Sequence, residues 1–336
     1  MLKGKSYSLF ILVLLLFLLA ACSSDSSGKE TGGVSGDLSF YTSQPDADAE
    51  QLVAAFSEKY PDVNVSIYRS GTEEVISKVQ AEKQAGEIQA DVLLVADAVT
   101  FESLKEQDML LPYESEELAG IPEQFVDPDH TYTGTKVMST AIAVNTNNVS
   151  ELPTSWMALT EAPDNISMPS PLYSGAAAYN LGVFTRTDNF GWGFYEKIQA
   201  NNPTVTQGNG AVLKAVAAGE TDYGMVVDFI VARAEVEGSP VTLVYPEEGV
   251  PVITEPIGIM KDSQNEAAAK AFVDFVLSEE GQILASEIGY TPIREGVEAP
   301  EGLKTIEDMK VIDADTTELY QAREEDKQKF SQLFGE

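Results

Sequence analysis

Apolar residues recur along the chain in short blocks of two kinds. "DLSFYT" and "VNVSIYR" read as strands, and "ADVLLVAD" is a continuous apolar run of strand length, as in a parallel strand covered on both faces. Between them, "DADAEQLVAAFSEKY" places Leu52, Val53, Phe56 and Tyr60 on one helical side, and Pro61 stops it. "GTEEVISKVQAEKQAG" is a second helix, with Thr72 at its start and Gly86 at its end, and "VTFESLKEQDML" is a third. This βαβαβα rhythm predicts an open parallel sheet, with ligands beyond the carboxyl ends of the strands. The rhythm restarts with the strand "MSTAIAVN", then "NISMPSP" running into "SGAAAYNLGVF", the helix "GWGFYEKIQAN", and the helix–turn–strand "GNGAVLKAVAAGETDYGMVVD". "PVITEPIGIM" then reads as a strand returning to the first sheet, and "NEAAAKAFVDFVLSEEGQILASEIG" as two helices on it.

The start of the chain follows another pattern. Lys3 and Lys5 precede an unbroken apolar run from Leu9 to Ala21. That run is shorter than the roughly 20 residues of a spanning helix. Leu19-Ala20-Ala21-Cys22 follows, then a polar Ser/Gly-rich stretch to Gly36. Small residues before a cleavage point mark a secretory signal. With the only cysteine next in line, the segment matches a bacterial lipobox, in which Cys22 is lipidated and opens the mature protein. The expected organisation is therefore a signal peptide at 1–21, a lipidated Cys22 and flexible tether at 22–36, lobe one at 37–140, lobe two at 141–252, and lobe one again at 253–336. Two strands near 140–146 and 250–258 are the expected hinge. The fold class is α/β, with two lobes, each a sheet flanked by helices, and a ligand cleft at the hinge.

Charge and cysteine content narrow the chemistry. The formal net charge is −33, near −35 once Lys3 and Lys5 are removed. Such a surface argues against nucleic-acid binding and leaves lipid as the membrane tether. A lone lipidated cysteine excludes disulfides and thiol catalysis. Yet three turns, Ser70-Gly71-Thr72, Ser174-Gly175-Ala176 and Gly208-Asn209-Gly210, each end a predicted strand and open a predicted helix. Free N–H groups at helix starts, with Ser and Thr hydroxyls, form a cradle for an oxyanion. Asp228, at a strand end, is a candidate for an amine or sugar hydroxyl of the same ligand, while Tyr41 and Ser43 are candidates at the end of the first strand. Each turn also has a plain structural reading, since Ser-Gly and Asn-Gly are common turn formers.

The order of "YTSQPDADAEQLVAAFSEKYPDV", "RSGTEEVISKVQAE", "ADVLLVAD", "SPLYSGAAA" and "AAGETDYGMVVDF" behind a lipobox resembles the extracellular solute-binding lipoproteins of ABC importers. The likeness covers nearly all of the mature chain and points to the branch with ferric-iron, phosphonate (2-aminoethylphosphonate) and sugar-phosphate binders. It implies a two-lobed periplasmic-binding-protein-like fold of type 2, with an ABC permease as partner and a lone subunit as the working state. It also implies that Ser174, Gly175, Ala176 and Asn209 hold an anion. In the ferric branch, adjacent tyrosines and a histidine hold the metal. Here Asp228, Phe229 and Ile230 stand at the tyrosine positions, Ser43 and Gln44 stand near the histidine position, and Asp97 falls one residue from the expected carboxylate. The only histidine, His130, lies in the polar stretch "DPDHTYTG".

The resulting expectation is a receptor for a small oxyanion-bearing solute, a phosphonate or organophosphate, with no cofactor and no resident metal. A ferric receptor is the alternative, with Tyr41, Tyr173 or Asp228 rebuilding a metal site. No C-x-x-C, H-x-x-x-H or P-loop pattern occurs. A surface hydrolase of phosphate or sugar esters is the rival enzyme class, and a sensor docking on a receptor kinase is the rival partner.

Overall fold

The computed structural model describes residues 33–336, so the expected signal sequence, Cys22 and most of the tether lie outside the described residues. Its first sheet contains β1 (Gly36–Thr42), β2 (Val63–Arg69), β3 (Val92–Leu94), β4 (Leu110–Leu111) and β5 (Thr133–Gly134). Strand β1 runs parallel to both β2 and β3, with Thr42 beside Arg69 at the carboxyl ends. Helices α1 (Asp46–Lys59), α2 (Thr72–Ala85) and α3 (Ala98–Glu106) follow these strands. Phe40, Phe56 and Phe272 meet at 4.8–4.9 Å between ring centres in the core of this lobe.

The second sheet is built on β6 (Lys136–Asn145), whose ten residues are all buried. Around it lie β7 (Ile166–Pro169), β8 (Thr204–Thr206), β9 (Tyr223–Val227) and β10 (Val241–Val244), in the order β10-β6-β9-β7-β8. Helices α4 (Gly175–Arg186), α5 (Gly191–Ala200), α6 (Asn209–Ala217) and α7 (Asp228–Val236) flank it. Strand β7 is parallel to β8, with Pro169 beside Thr206, so the turns that follow the two strands leave the same end of the sheet. Trp156 is fully buried against Phe184, and its indole N–H donates to the Gly249 carbonyl (2.8 Å).

The chain crosses between the sheets three times, and its first two crossings are adjacent. The first is Thr135, between β5 and β6. The second is Thr254–Glu255, between β11 (Val252–Ile253) in the second sheet and β12 (Pro256–Met260) in the first. The Thr135 N–H donates to the Thr254 carbonyl (3.0 Å), and its hydroxyl to the Glu255 carbonyl (2.7 Å). The segment read from sequence as one strand is thus broken in two, with Glu255 at a φ of +33° between the halves.

A larger correction concerns residues 253–336. Helices α8 (Glu266–Leu277) and α9 (Glu279–Ile288) do pack on the first lobe. However, β13 (Thr291–Pro292) pairs with β6, and Ile293, Met309, Ile312, Leu319 and Phe330 join the core of the second lobe. The last helix, α10 (Thr316–Phe334), lies against α3 of the first lobe and α4 of the second. No helix among the described residues is long and apolar enough to cross a membrane.

Candidate functional site

The carboxyl ends of the two parallel strand sets face one cleft of about 360 Å³. Ser43, Gly71, Thr72, Ser174, Gly175, Ala176 and Asn209 all line it. The three turns thus come together from both lobes, and each opens a helix: α2 behind Gly71, α4 behind Ser174 and α6 behind Gly208. The early N–H groups of these helices have no intrahelical partner, and the positive ends of three helix dipoles converge on the cleft.

Ser174 and Asn209 form a fixed pair within this cradle. The Ser174 oxygen accepts the Ala177 N–H (3.3 Å) and one Asn209 amide hydrogen (3.2 Å). Its two acceptor positions are then filled, which leaves the hydroxyl hydrogen as a donor. The Asn209 oxygen accepts the Val227 N–H (3.2 Å), so the side-chain amide is held with its second hydrogen uncommitted.

Sequence reasoning missed Arg69. It ends β2, and its Nε donates to the Gln44 carbonyl (2.7 Å) at the cleft. No carboxylate among the described residues pairs with its guanidinium, so its terminal nitrogens remain available. The available signal was an arginine at the carboxyl end of a parallel strand. Acceptors also line the cleft. Gln44 is 4% exposed, and its side-chain oxygen is buried without a hydrogen-bond partner. The buried Glu255 carboxylate pairs with Lys136 at 2.5 Å, and Lys136 sits over the Tyr290 ring. Burial pushes the Glu255 carboxyl up, and Lys136 pulls it back only in part. Phe229 packs on Tyr290 with the rings tilted by 35° and their centres 4.3 Å apart, and with Met138 and Ile230 they form an apolar wall.

Three candidates point elsewhere. Asp228 is 2% exposed, and its carboxylate is taken up by the Ser139 hydroxyl (2.6 Å), the Ser139 and Phe229 N–H groups (3.2 and 2.8 Å) and the Tyr245 hydroxyl (3.2 Å). Burial raises its carboxyl in spite of those bonds. It fixes the start of α7 and presents no free oxygen to a ligand. Tyr41 faces away from the cleft and donates its hydroxyl to Glu82 (2.8 Å). Ser70 turns its hydroxyl to Glu74. Asp228→Asn, which keeps the shape and most of these bonds, is expected to change solute affinity less than about threefold, read by calorimetric titration. His130 lies outside the cleft, and among the described residues no group of three or more His, Cys, Asp or Glu side chains is placed to hold a metal ion.

The lobes touch across the cleft. The Glu73 N–H of α2 donates to the Tyr173 carbonyl (3.2 Å). A Cβ on Gly71 would lie 2.6 Å from the Tyr173 ring, and one on Gly175 would lie 2.8 Å from the Thr72 side chain. Glycine at these two positions permits the close approach, and the structure is in a closed form.

A family model for bacterial extracellular solute-binding proteins matches residues 40–291. An uncharacterised protein of Haemophilus influenzae is 29% identical over 304 residues, spanning 85% of this chain and 84% of that one. The periplasmic binding protein AfuA of Actinobacillus pleuropneumoniae, solved with exogenous fructose 6-phosphate, superposes with a TM-score of 0.83 at 25% identity, covering 89% of this chain and 99% of AfuA. Iron-bound HitA of Pseudomonas aeruginosa superposes at 0.76 with 22% identity, covering 88% and 99%, and this shows the shared fold. The chain belongs to the bacterial extracellular solute-binding protein family, as a binding protein of the kind that serves ABC importers and not an enzyme.

Proposed function

We propose that the protein captures a phosphorylated sugar, or an organophosphate of similar shape, and hands it as a lone subunit to a membrane permease. The observation that carries this reading is the composition of the cleft. It combines the Ser174–Asn209 donor pair, helix N-termini and the uncommitted Arg69 guanidinium with an unpartnered acceptor, Gln44. The donors suit a phosphoryl group. An acceptor without a partner suits a ligand body that carries hydroxyl donors. Glu255 already has Lys136 as its counter-ion, so that part of the cleft favours neutral hydroxyls over an ammonium group. The fructose 6-phosphate held by AfuA is a ligand of this kind. A ferric reading has less support, because Phe229 and Ile230 present no oxygen where the ferric binders carry tyrosines.

A thermal-shift series on the full chain tests the reading. A ligand at 100 times its dissociation constant adds about 2.7 kcal/mol of stability. A shift with fructose 6-phosphate that exceeds those with aminoethylphosphonate and inorganic phosphate supports it. A shift with ferric citrate alone overturns it. Cys22 is the proposed lipid attachment point. Cys22→Ser is expected to release the protein from the membrane fraction into the soluble fraction, as followed by immunoblotting.

A further inference from the structure

The last helix touches the two lobes with two different stripes. Leu319, Asp326 and Phe330 are its buried positions. Leu319 lies against Gly182 of α4, Asp326 pairs with Arg186 of α4 (2.6 Å), and Phe330 packs edge-on to Tyr195 of α5. This stripe, largely apolar, fastens α10 to the second lobe. The neighbouring stripe, Arg323 and Lys327, faces the first lobe one helical turn apart. Arg323 donates to both Asp97 oxygens (3.1 and 3.0 Å) and to Glu73 (2.7 Å), and Lys327 donates to the other Glu73 oxygen (2.8 Å). All four side chains are 16% exposed or less.

We infer that the C-terminal helix is an electrostatic clasp, carried by the second lobe and gripping Glu73 and Asp97 of the first, which favours the closed cleft before any solute arrives. The two stripes differ in what opening costs. Separating the apolar stripe exposes hydrocarbon to water, whereas the charged stripe exchanges its partners for hydration. The helix therefore stays with the second lobe, and its ionic contacts are the ones that release. Glu73 takes both cations, Arg323 and Lys327, whereas Asp97 takes Arg323 alone. Burial pushes the Glu73 carboxyl up, but Arg323 and Lys327 outweigh that and hold it below its ordinary value, whereas burial leaves Asp97 raised despite Arg323. Glu73 also follows Thr72, which lines the cleft, and its N–H makes the cross-lobe bond to Tyr173. The clasp and the ligand turn thus belong to one segment. Raising the closed population without ligand raises apparent affinity by the same factor.

Hydrogen exchange on the full chain, with no solute added, tests this. The Glu73 amide is too near the start of α2 to have an intrahelical partner, so its protection reports the Tyr173 bond. In an Arg323→Met, Lys327→Met variant, exchange in the segment 70–76 should quicken about tenfold or more, with the protection of 316–334 retained. Glu73→Gln, which leaves the anchoring stripe intact, should act in the same direction by a smaller factor. Unchanged exchange at 70–76 in the double variant would overturn the clasp. So would loss of protection in 316–334 itself, because the two cations would then serve only to fold their own helix.

Discussion

Ser174 and Asn209 replaced together by alanine are expected to weaken fructose 6-phosphate binding by about 100-fold or more. Hydrogen bonds to charged groups contribute roughly 1.5–3 kcal/mol each, and this variant removes two fixed donors. The two residues act as one unit, since Asn209 donates to the Ser174 oxygen and so commits that hydroxyl to donating (3.2 Å). Single replacements should therefore be non-additive, with either one costing most of the total. The effect on folding is smaller. Ser174 caps α4 through the Ala177 N–H, and losing a cap costs about 1 kcal/mol, readable by urea unfolding. Affinity within threefold of the parent would remove the anion cradle from the account.

Arg69→Met carries the second large expectation, a loss of about 10- to 100-fold in affinity for the same phosphate ester. Among the described residues no carboxylate pairs with this guanidinium at the cleft, whereas Lys136 is already paired with Glu255. Calorimetric titration against pH adds a sign. A phosphate monoester loses its second negative charge as pH falls through about 6. Below that value the ligand carries one charge fewer and presents a hydroxyl donor to a cradle of donors. Affinity for the parent protein should therefore fall on acidification through this range. In Arg69→Met the fall should be shallower, because the group most sensitive to ligand charge is gone. A pH profile of equal steepness in both proteins would assign Arg69 to holding the Gln44 carbonyl instead.

The βαβ rhythm of the first lobe and the three turns that meet at the cleft were legible because their signals are local. Strand-length apolar runs, Ser-Gly and Asn-Gly turns and helical periodicity each act within a few residues. What failed depended on direction or distance. Asp228 stands where a ligand-facing carboxylate was expected, but Ser139, 89 residues away in sequence, captures it. Tyr41 alternates to the covered side of β1, where Val75 and Leu93 pack and Glu82 receives its hydroxyl. The C-terminal segment was placed on the wrong lobe because its anchoring residues, Leu319, Asp326 and Phe330, find partners set by the tertiary fold. Arg69 and Gln44 were passed over because one arginine at a strand end and one glutamine in a loop carry no pattern. Their meaning comes from the register that sets Thr42 beside Arg69.

The most direct test of the central claim is a calorimetric titration of the full chain with fructose 6-phosphate and, separately, with fructose. Saturable one-to-one binding of the phosphate ester is expected, with no measurable heat with the free sugar, since the converging helix starts, Ser174, Asn209 and Arg69 are the groups proposed to hold a phosphoryl group. Binding of both sugars with similar affinity, or of neither while ferric citrate binds, would contradict that claim.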